Sequence, residues 1–295
     1  MEKVILKSLK EAVSKKSWNW VAGSAGTVSA ILLAGKNYLG SKVWVSIVFG
    51  VSFIIALYVL RFLLILSRNV YRNWYELYKE SVYGDAIVFL KDAFSRVHWL
   101  RKLDTIPDDK LKQTMAQFCQ QLKLIYDKKT KSCCAVSIKL ARKAADEKSI
   151  TSNTRISNLC RDKDSQSRDT VQYQQTLHSI FSNTCFNNIL ADFAQGKNIN
   201  EVYYINNHIA GSGDYLNTSK QLYNEGKLPY ASELVVPIIP HHNENDIKFE
   251  MVGFLCVDCQ TKEVFDSKYD VSILQGVADG IYDVIYKHSQ ESQLK

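Results

Sequence analysis

The stretch Tyr230–Gln260, YASELVVPIIPHHNENDIKFEMVGFLCVDCQ, ends in a CxxC formed by Cys256 and Cys259. A thioredoxin-like dithiol opens a helix after a strand. This pair instead flanks Asp258 at a strand end. A zinc ribbon needs a second cysteine pair at matching distance, and the sequence has none. Side chains alternate along a strand, so a spacing of three sends the two thiols to opposite faces. They read as core thiols. His241 and His242, in PHHNEND with Asp246, read as a solvated hairpin tip. His98, His178 and His208 share no ligand spacing. GSGD at 211–214 reads as a turn rather than a phosphate-cradling loop. No nucleophile stands at a defined spacing from a base. The expectation is therefore no enzyme, no metal and no cofactor.

Three places could hold a ligand without reacting with it. In YYINNH, Tyr204, Asn206 and Asn207 leave an apolar strand, and the amides could read the edge of a heterocycle. The same asparagines could cap their own backbone as turn residues. Arg161, after NLC, could meet an anionic ligand or pair with Asp162 or Asp258. Asp258 could bind a ligand or cap a turn.

Composition says where such a site sits. The chain has 295 residues, is 46% hydrophobic and 23% charged, and carries a net charge of +7. It is long and apolar enough for a sizeable core. Lys3, Lys7, Lys10, Lys15, Lys16 and Lys36, then Lys42, Arg61, Arg68, Arg72 and Lys79, crowd the basic excess around two apolar runs. That is a membrane-flanking bias, not a nucleic-acid groove. The seven cysteines lie mostly in apolar segments with no regular framework, as reduced thiols of a cytosolic compartment do.

Ser17–Gly35 has no charge in 19 residues, and Val43–Leu66 has only Arg61 in 24. At about 1.5 Å per residue both could cross a hydrocarbon core of roughly 30 Å. KNYLGSK between them makes a tight hairpin. The lysines of the N-terminal tail and the basic residues after Leu66 place both termini in the cytoplasm at the inner (plasma) membrane. The four-residue recurrence Ala22, Gly26, Ala30, Ala34 allows close helix contact, within the hairpin or between copies. Four regions follow: a basic N-terminal helix (1–16), the two-span hairpin (17–66), a helical stalk (67–104) with a bend at Gly84, and a cytoplasmic domain (105–295). In the stalk, Ile87, Leu90, Phe94 and Val97 form one apolar series.

Pro107, Asp108 and Asp109 open a helix whose Leu111, Met115, Phe118, Leu122 and Ile125 share a face. That face covers a sheet or pairs with a second copy. CCAVSIKLAR and Asn153–Asp162 read as strands, KDSQSRDTVQYQQT as a polar loop, and NTCFNNILADFAQG as a short helix capped by Asn183 or Thr184. Val202–Ile205, Glu233–Pro240 and Phe249–Asp258 are further strands. The closing helix buries Val271, Leu274, Ala278, Ile281 and Ile285, with Ser267 or Asp270 as its cap. Helices at both ends of one sheet make the class α+β.

From Asp104 to Lys287 this order resembles a GAF domain. SELVVPI paired with VGFLCVD, then Phe265 and a terminal helix, is the most specific part. The resemblance implies a GAF-like antiparallel sheet with flanking helices, which often mediate dimers, and a pocket roofed by crossover segments on the other face. Neither the cyclic-nucleotide pattern nor a chromophore-attachment signature is evident. It also implies a regulatory role: a homo-oligomeric, membrane-anchored sensor binding a small molecule, a nucleotide being one candidate. The output would run through stalk and membrane helices, as in a membrane effector of a bacterial stress or antiviral system. The alternative is a ligand-free dimerisation or docking scaffold tethered to the lipid bilayer.

Overall fold

The structure is a computed structural model that describes residues 2–14, 19, 23, 26, 43–143, 150–151, 153–175, 178–223, 226–241 and 250–293. The chain divides into two compact units, Met1–Ser81 and Val82–Lys295.

The first unit contains α1 (Glu2–Ala12) and the first part of α2 (Val43–Arg101), a single helix of 59 residues. Asn69 of α2 donates to Ser8 Oγ at 3.0 Å and to Glu11 Oε2 at 3.3 Å, which ties α1 to α2. Ser8 and Ala12 are buried. Among the described residues one helix is long and apolar enough to cross a membrane, by length and composition, and it is α2. Its Val51, Phe53, Ile55, Val59, Leu60, Leu63 and Leu64 are exposed. The first apolar run, and with it the expected hairpin, lies outside the described residues except at Asn19, Gly23 and Gly26. Beyond Leu66, Tyr71, Trp74 and Tyr75 are exposed, and rings stack along the helix, Tyr71 on Tyr75 and Trp74 on Tyr78.

At Gly84, where the sequence suggests a bend, α2 stays helical. An isolated glycine costs a helix about 1 kcal/mol relative to alanine, which a long packed helix tolerates. The stalk series is also shifted. Ile87 is 72% exposed, and the buried stripe is Val82, Ala86, Ala93, Val97 and Leu100, with Leu90 and Phe94 partly covered. Small residues let α2 lie close against its neighbours, and apolarity alone did not reveal which face was inward.

The second unit is built on a six-stranded antiparallel sheet of order β3-β2-β1-β6-β5-β4. Its strands are β1 (Cys134–Arg142), β2 (Arg155–Arg161), β3 (His178–Ser179), β4 (Tyr204–Asn206), β5 (Ser232–Ile238) and β6 (Gly253–Cys259). The central ladder β1–β6 runs from Cys134 opposite Cys259 to Leu140 opposite Gly253. A Cβ built on Gly253 would lie 2.0 Å from the Lys139 carbonyl oxygen, so only glycine permits this approach.

Helix α3 (Asp108–Thr130) and helix α6 (Tyr269–Gln293) pack on one face with the end of α2. Leu111, Met115, Phe118, Leu122 and Ile125 of α3 are all buried, as are Val271, Leu274, Ala278, Ile281 and Ile285 of α6. The α3 face therefore covers the sheet. Pro107 is the N-cap of α3, with Asp108 and Asp109 in its first turn. At α6 it is Asp266 that caps, accepting from the Lys268 and Tyr269 amides at 2.9 and 3.1 Å. Asp270, one turn further, is buried and ion-paired to Lys129.

Candidate functional site

The other face of the sheet carries a different chemistry. Ser137 and Lys139 project from β1, Arg161 from β2, Glu233 from β5, and Cys256 and Asp258 from β6, all lining one cavity of ≈ 40 Å³. The roof begins where the sequence suggested a polar loop. Residues Lys163–Arg168 form a 3₁₀ helix, Val171–Gln175 form the short helix α4, and β3 adds His178. Helix α5 (Thr184–Ala194), residues 217–223 and residues 228–230 complete it.

A β-bulge decides which β2 side chains face the cavity. Register with β1 shifts between Ile138 and Lys139, so Ser137 opposes Arg161 while Lys139 opposes Asn158. Three residues apart, Asn158 and Arg161 would ordinarily face opposite ways. The extra residue, Leu159, brings both to the same side. Both then hold Asp169 of the roof: Arg161 Nε donates to Oδ1 at 2.5 Å and Asn158 Nδ2 to Oδ2 at 2.6 Å. Arg161 is only 5% exposed. Its partner is neither Asp162 nor Asp258. Asp162 accepts from the Val136 and Ser165 amides at 2.8 and 3.0 Å and caps the 3₁₀ helix. Asp258 receives Arg168, whose Nη1 lies 2.9 and 3.0 Å from its two oxygens.

Lys139 stands apart from these pairs. Its Nζ donates to the Tyr173 hydroxyl at 2.7 Å and lies 5.4 Å from the ring centroid. Arg161 Cζ lies 5.2 Å from the same ring. Burial opposes ionisation of the phenol, yet the Lys139 and Arg161 charges carry its pKa below the ordinary value. Burial likewise works against the Lys139 ammonium, but Tyr173 holds it above its usual range. Burial pushes the His178 imidazole down, and the Lys139 and Arg161 charges add to this. Its Nε2 lies 3.1 Å from the Tyr173 carbonyl oxygen and its Nδ1 2.8 Å from the Thr218 hydroxyl.

Glu233 is 6% exposed, and burial pushes its carboxyl up to about 7. It accepts from the Tyr215 hydroxyl at 2.6 Å. Cys185 and Cys256 also line the cavity. Burial raises both thiols, Cys256 to about 12. Cys256 and Cys259 do face opposite ways: the first packs with the cavity-side cluster, the second in the helix-side core. Among the described residues no group of three or more His, Cys, Asp or Glu could hold a metal ion. His242 and Asp246 lie outside the described residues.

Of the five residues singled out in the sequence, the cavity brings together Arg161 and Asp258. Tyr204, Asn206 and Asn207 lie apart from it, on the edge strand β4 and its turn. Asn206 Oδ1 accepts from the His208 amide at 2.9 Å, and its Nδ2 donates to Tyr204 Oη and Ser212 Oγ. Asn207 exchanges two hydrogen bonds with the Phe265 backbone, at 2.9 and 3.0 Å. Tyr204 packs at the margin of the cavity-side cluster. Sequence reasoning missed Lys139, Arg168, Tyr173, His178 and Glu233. One signal was present: charged Lys139 and Glu233 sit inside strongly apolar strands, where an ionisable side chain needs a reason.

An antiparallel sheet with helices on one face and a roofed polar cavity on the other defines a GAF-like fold. No family model and no curated protein matches the chain. Among solved structures it is similar to one described as the GAF domain, at 14% identity, covering 68% of this chain and 88% of that one, with a TM-score of 0.43. It is also similar to the GAF domain of a phosphoenolpyruvate-protein phosphotransferase from Coxiella burnetii (10% identity, 70% and 98% covered, TM-score 0.41). A third is a type II free methionine-R-sulfoxide reductase from Thermoplasma acidophilum (14% identity, 61% and 96% covered, TM-score 0.40). These are likenesses of fold.

Proposed function

We propose that the chain is a membrane-anchored regulatory sensor whose GAF-like unit binds a small polar molecule in the roofed cavity and catalyses no reaction. The observation that carries this reading is the concentration of buried and half-buried ionisable groups on one sheet face: Lys139, Arg161, Glu233 and Asp258, with Arg168, Tyr173 and His178 above them. Burying charge is expensive, and apolar residues of similar volume would pack such a site as well or better. Cations beside carboxylates suit a ligand with several polar groups, a nucleotide among them. Leu228 and Tyr230 line both the cavity and an open groove of ≈ 920 Å³, so a larger ligand has somewhere to extend. The raised thiols of Cys185 and Cys256 argue against nucleophilic chemistry, because the thiolate is the reactive form.

In this reading α2 anchors the sensor with the apolar run 17–35, both termini are cytoplasmic at the inner membrane, and signalling passes through the helices of a homo-oligomer. A role as effector in a stress or antiviral system fits that plan. Tags at either terminus should be shielded in sealed inside-in vesicles, and a tag within 36–42 should be reached from outside. The scaffold reading draws on the cavity's small volume and its mostly paired charges. A nucleotide and metabolite screen by thermal unfolding of the full-length chain separates the two. A true ligand at 100 times its Kd adds about 2.7 kcal/mol. A screen in which no compound shifts unfolding favours the scaffold.

A further inference from the structure

We infer that Lys139 anchors an anionic group of the ligand, a carboxylate or a phosphate, and that the Tyr173 hydroxyl holds that position until the anion displaces it. This rests on the small-molecule reading above and names the chemistry of its site. Three cations line the cavity, and two have a carboxylate: Arg161 has Asp169 and Arg168 has Asp258. Lys139 has a phenol, and among the described residues no carboxylate lies within ion-pair distance of its Nζ. A hydrogen bond from an ammonium to an anionic oxygen is shorter and roughly twice as strong as one between neutral groups. The ammonium–phenol bond is already charge-assisted, but an incoming anion adds a full opposite charge at the same distance, so it gains more at Lys139 than the phenol gives up.

The space agrees. One water needs roughly 10–15 Å³ of such volume, so the ≈ 40 Å³ cavity corresponds to about three waters, the size of a small oxyanion. Tyr173 sits on a helix of five residues, and that helix is tied through its Tyr173 carbonyl to His178 rather than through a strand ladder. Tyr173 is 4% exposed and its ring packs against His178 with centroids 4.6 Å apart, so an anion reaching Lys139 must turn the hydroxyl aside. Arg161 Cζ lies 5.2 Å from the same ring, so its charge adds to the field at an anion bound there.

The test uses the full-length chain in lipid nanodiscs, with inorganic phosphate and acetate as probes and sodium chloride at matched ionic strength as control. Thermal unfolding is followed as a function of anion concentration. At least one probe should stabilise the wild type beyond chloride, and which one does so tells phosphate from carboxylate. Lys139→Met should weaken that anion at least tenfold. Tyr173→Phe removes the competing hydroxyl and should bind the same anion several-fold tighter. Wild-type protein that responds to neither anion beyond chloride, an anion response that survives Lys139→Met, or weaker binding in Tyr173→Phe would each overturn the proposal. If Lys139→Met does not fold, the sign of the Tyr173→Phe change decides. A neutral or cationic metabolite that stabilises wild type and Lys139→Met alike would overturn the anion anchor and leave the receptor reading standing.

Discussion

The two faces of the sheet share strands but not chemistry. On the helix side, Val136, Ile138, Leu140, Leu234, Val236, Leu255 and Val257 meet α2, α3 and α6 in a continuous apolar core. On the roof side, alternate positions of the same strands present Ser137, Lys139, Glu233, Cys256 and Asp258. Alternation alone produces this division. The dry face supplies stability through burial, and in the proposed reading the charged face gives some of it up for recognition. Substitutions on the two faces should therefore fail differently.

The largest effect belongs to the dry face. Phe118 is 1% exposed and meets Phe94 edge-on with centroids 5.2 Å apart. Phe118→Ala should cost about 3–5 kcal/mol in chemical denaturation, with little change in the affinity of any ligand for the protein that remains folded.

Next comes Glu233, on the charged face. Its folded pKa of about 7 lies above the unfolded value near 4.5, so the folded state holds the proton more tightly. Its contribution is fully present below about pH 4.5 and is lost as pH rises through 7. The difference is about 3 kcal/mol. Stability against pH in Glu233→Gln should lack this fall between pH 5 and 8. An unchanged profile would mean that Glu233 titrates as an ordinary carboxylate.

Arg168 and Asp258 form a pair with 16% and 13% side-chain exposure. Arg168→Met should cost about 1–2 kcal/mol, less than breaking a fully buried pair, and should weaken ligand binding more than it lowers stability. Equal losses in both would mark the pair as structural.

The smallest effect is at Gly84, where an added Cβ meets nothing within 4 Å. Gly84→Ala should stabilise the protein by up to about 1 kcal/mol through helix propensity. A loss of stability would show that α2 needs the glycine's freedom.

The dry face was legible because burial writes periodicity. The α3 and α6 stripes were read residue by residue, and β5 and β6 came within a few residues of their ends. Along α2 the same rule held for Val97 and in part for Leu90 and Phe94, but failed at Ile87, where Ala86 and Ala93 pack inward instead. The charged face was legible only in part. Arg161 and Asp258 stood out as polar residues at strand ends. Lys139 and Glu233 passed as ordinary members of the strands CCAVSIKLAR and Glu233–Pro240, and the bulge that aligns Asn158 with Arg161 leaves no local signal. The roof residues Arg168, Tyr173 and His178 reach the cavity only through tertiary folding of a segment that reads as loop. Asn206 and Asn207 drew attention as paired amides, yet the turn and the Phe265 backbone occupy them.

Hydrogen exchange of the full-length chain in nanodiscs, with and without a stabilising compound, tests the division of labour most directly. The account predicts new protection in Lys163–Ser179 and in the segment 217–230, with the amides of α3 and α6 changed no more than global stabilisation requires. Protection confined to Tyr204–Asn207, or to the helix-covered face with the roof unchanged, would contradict it.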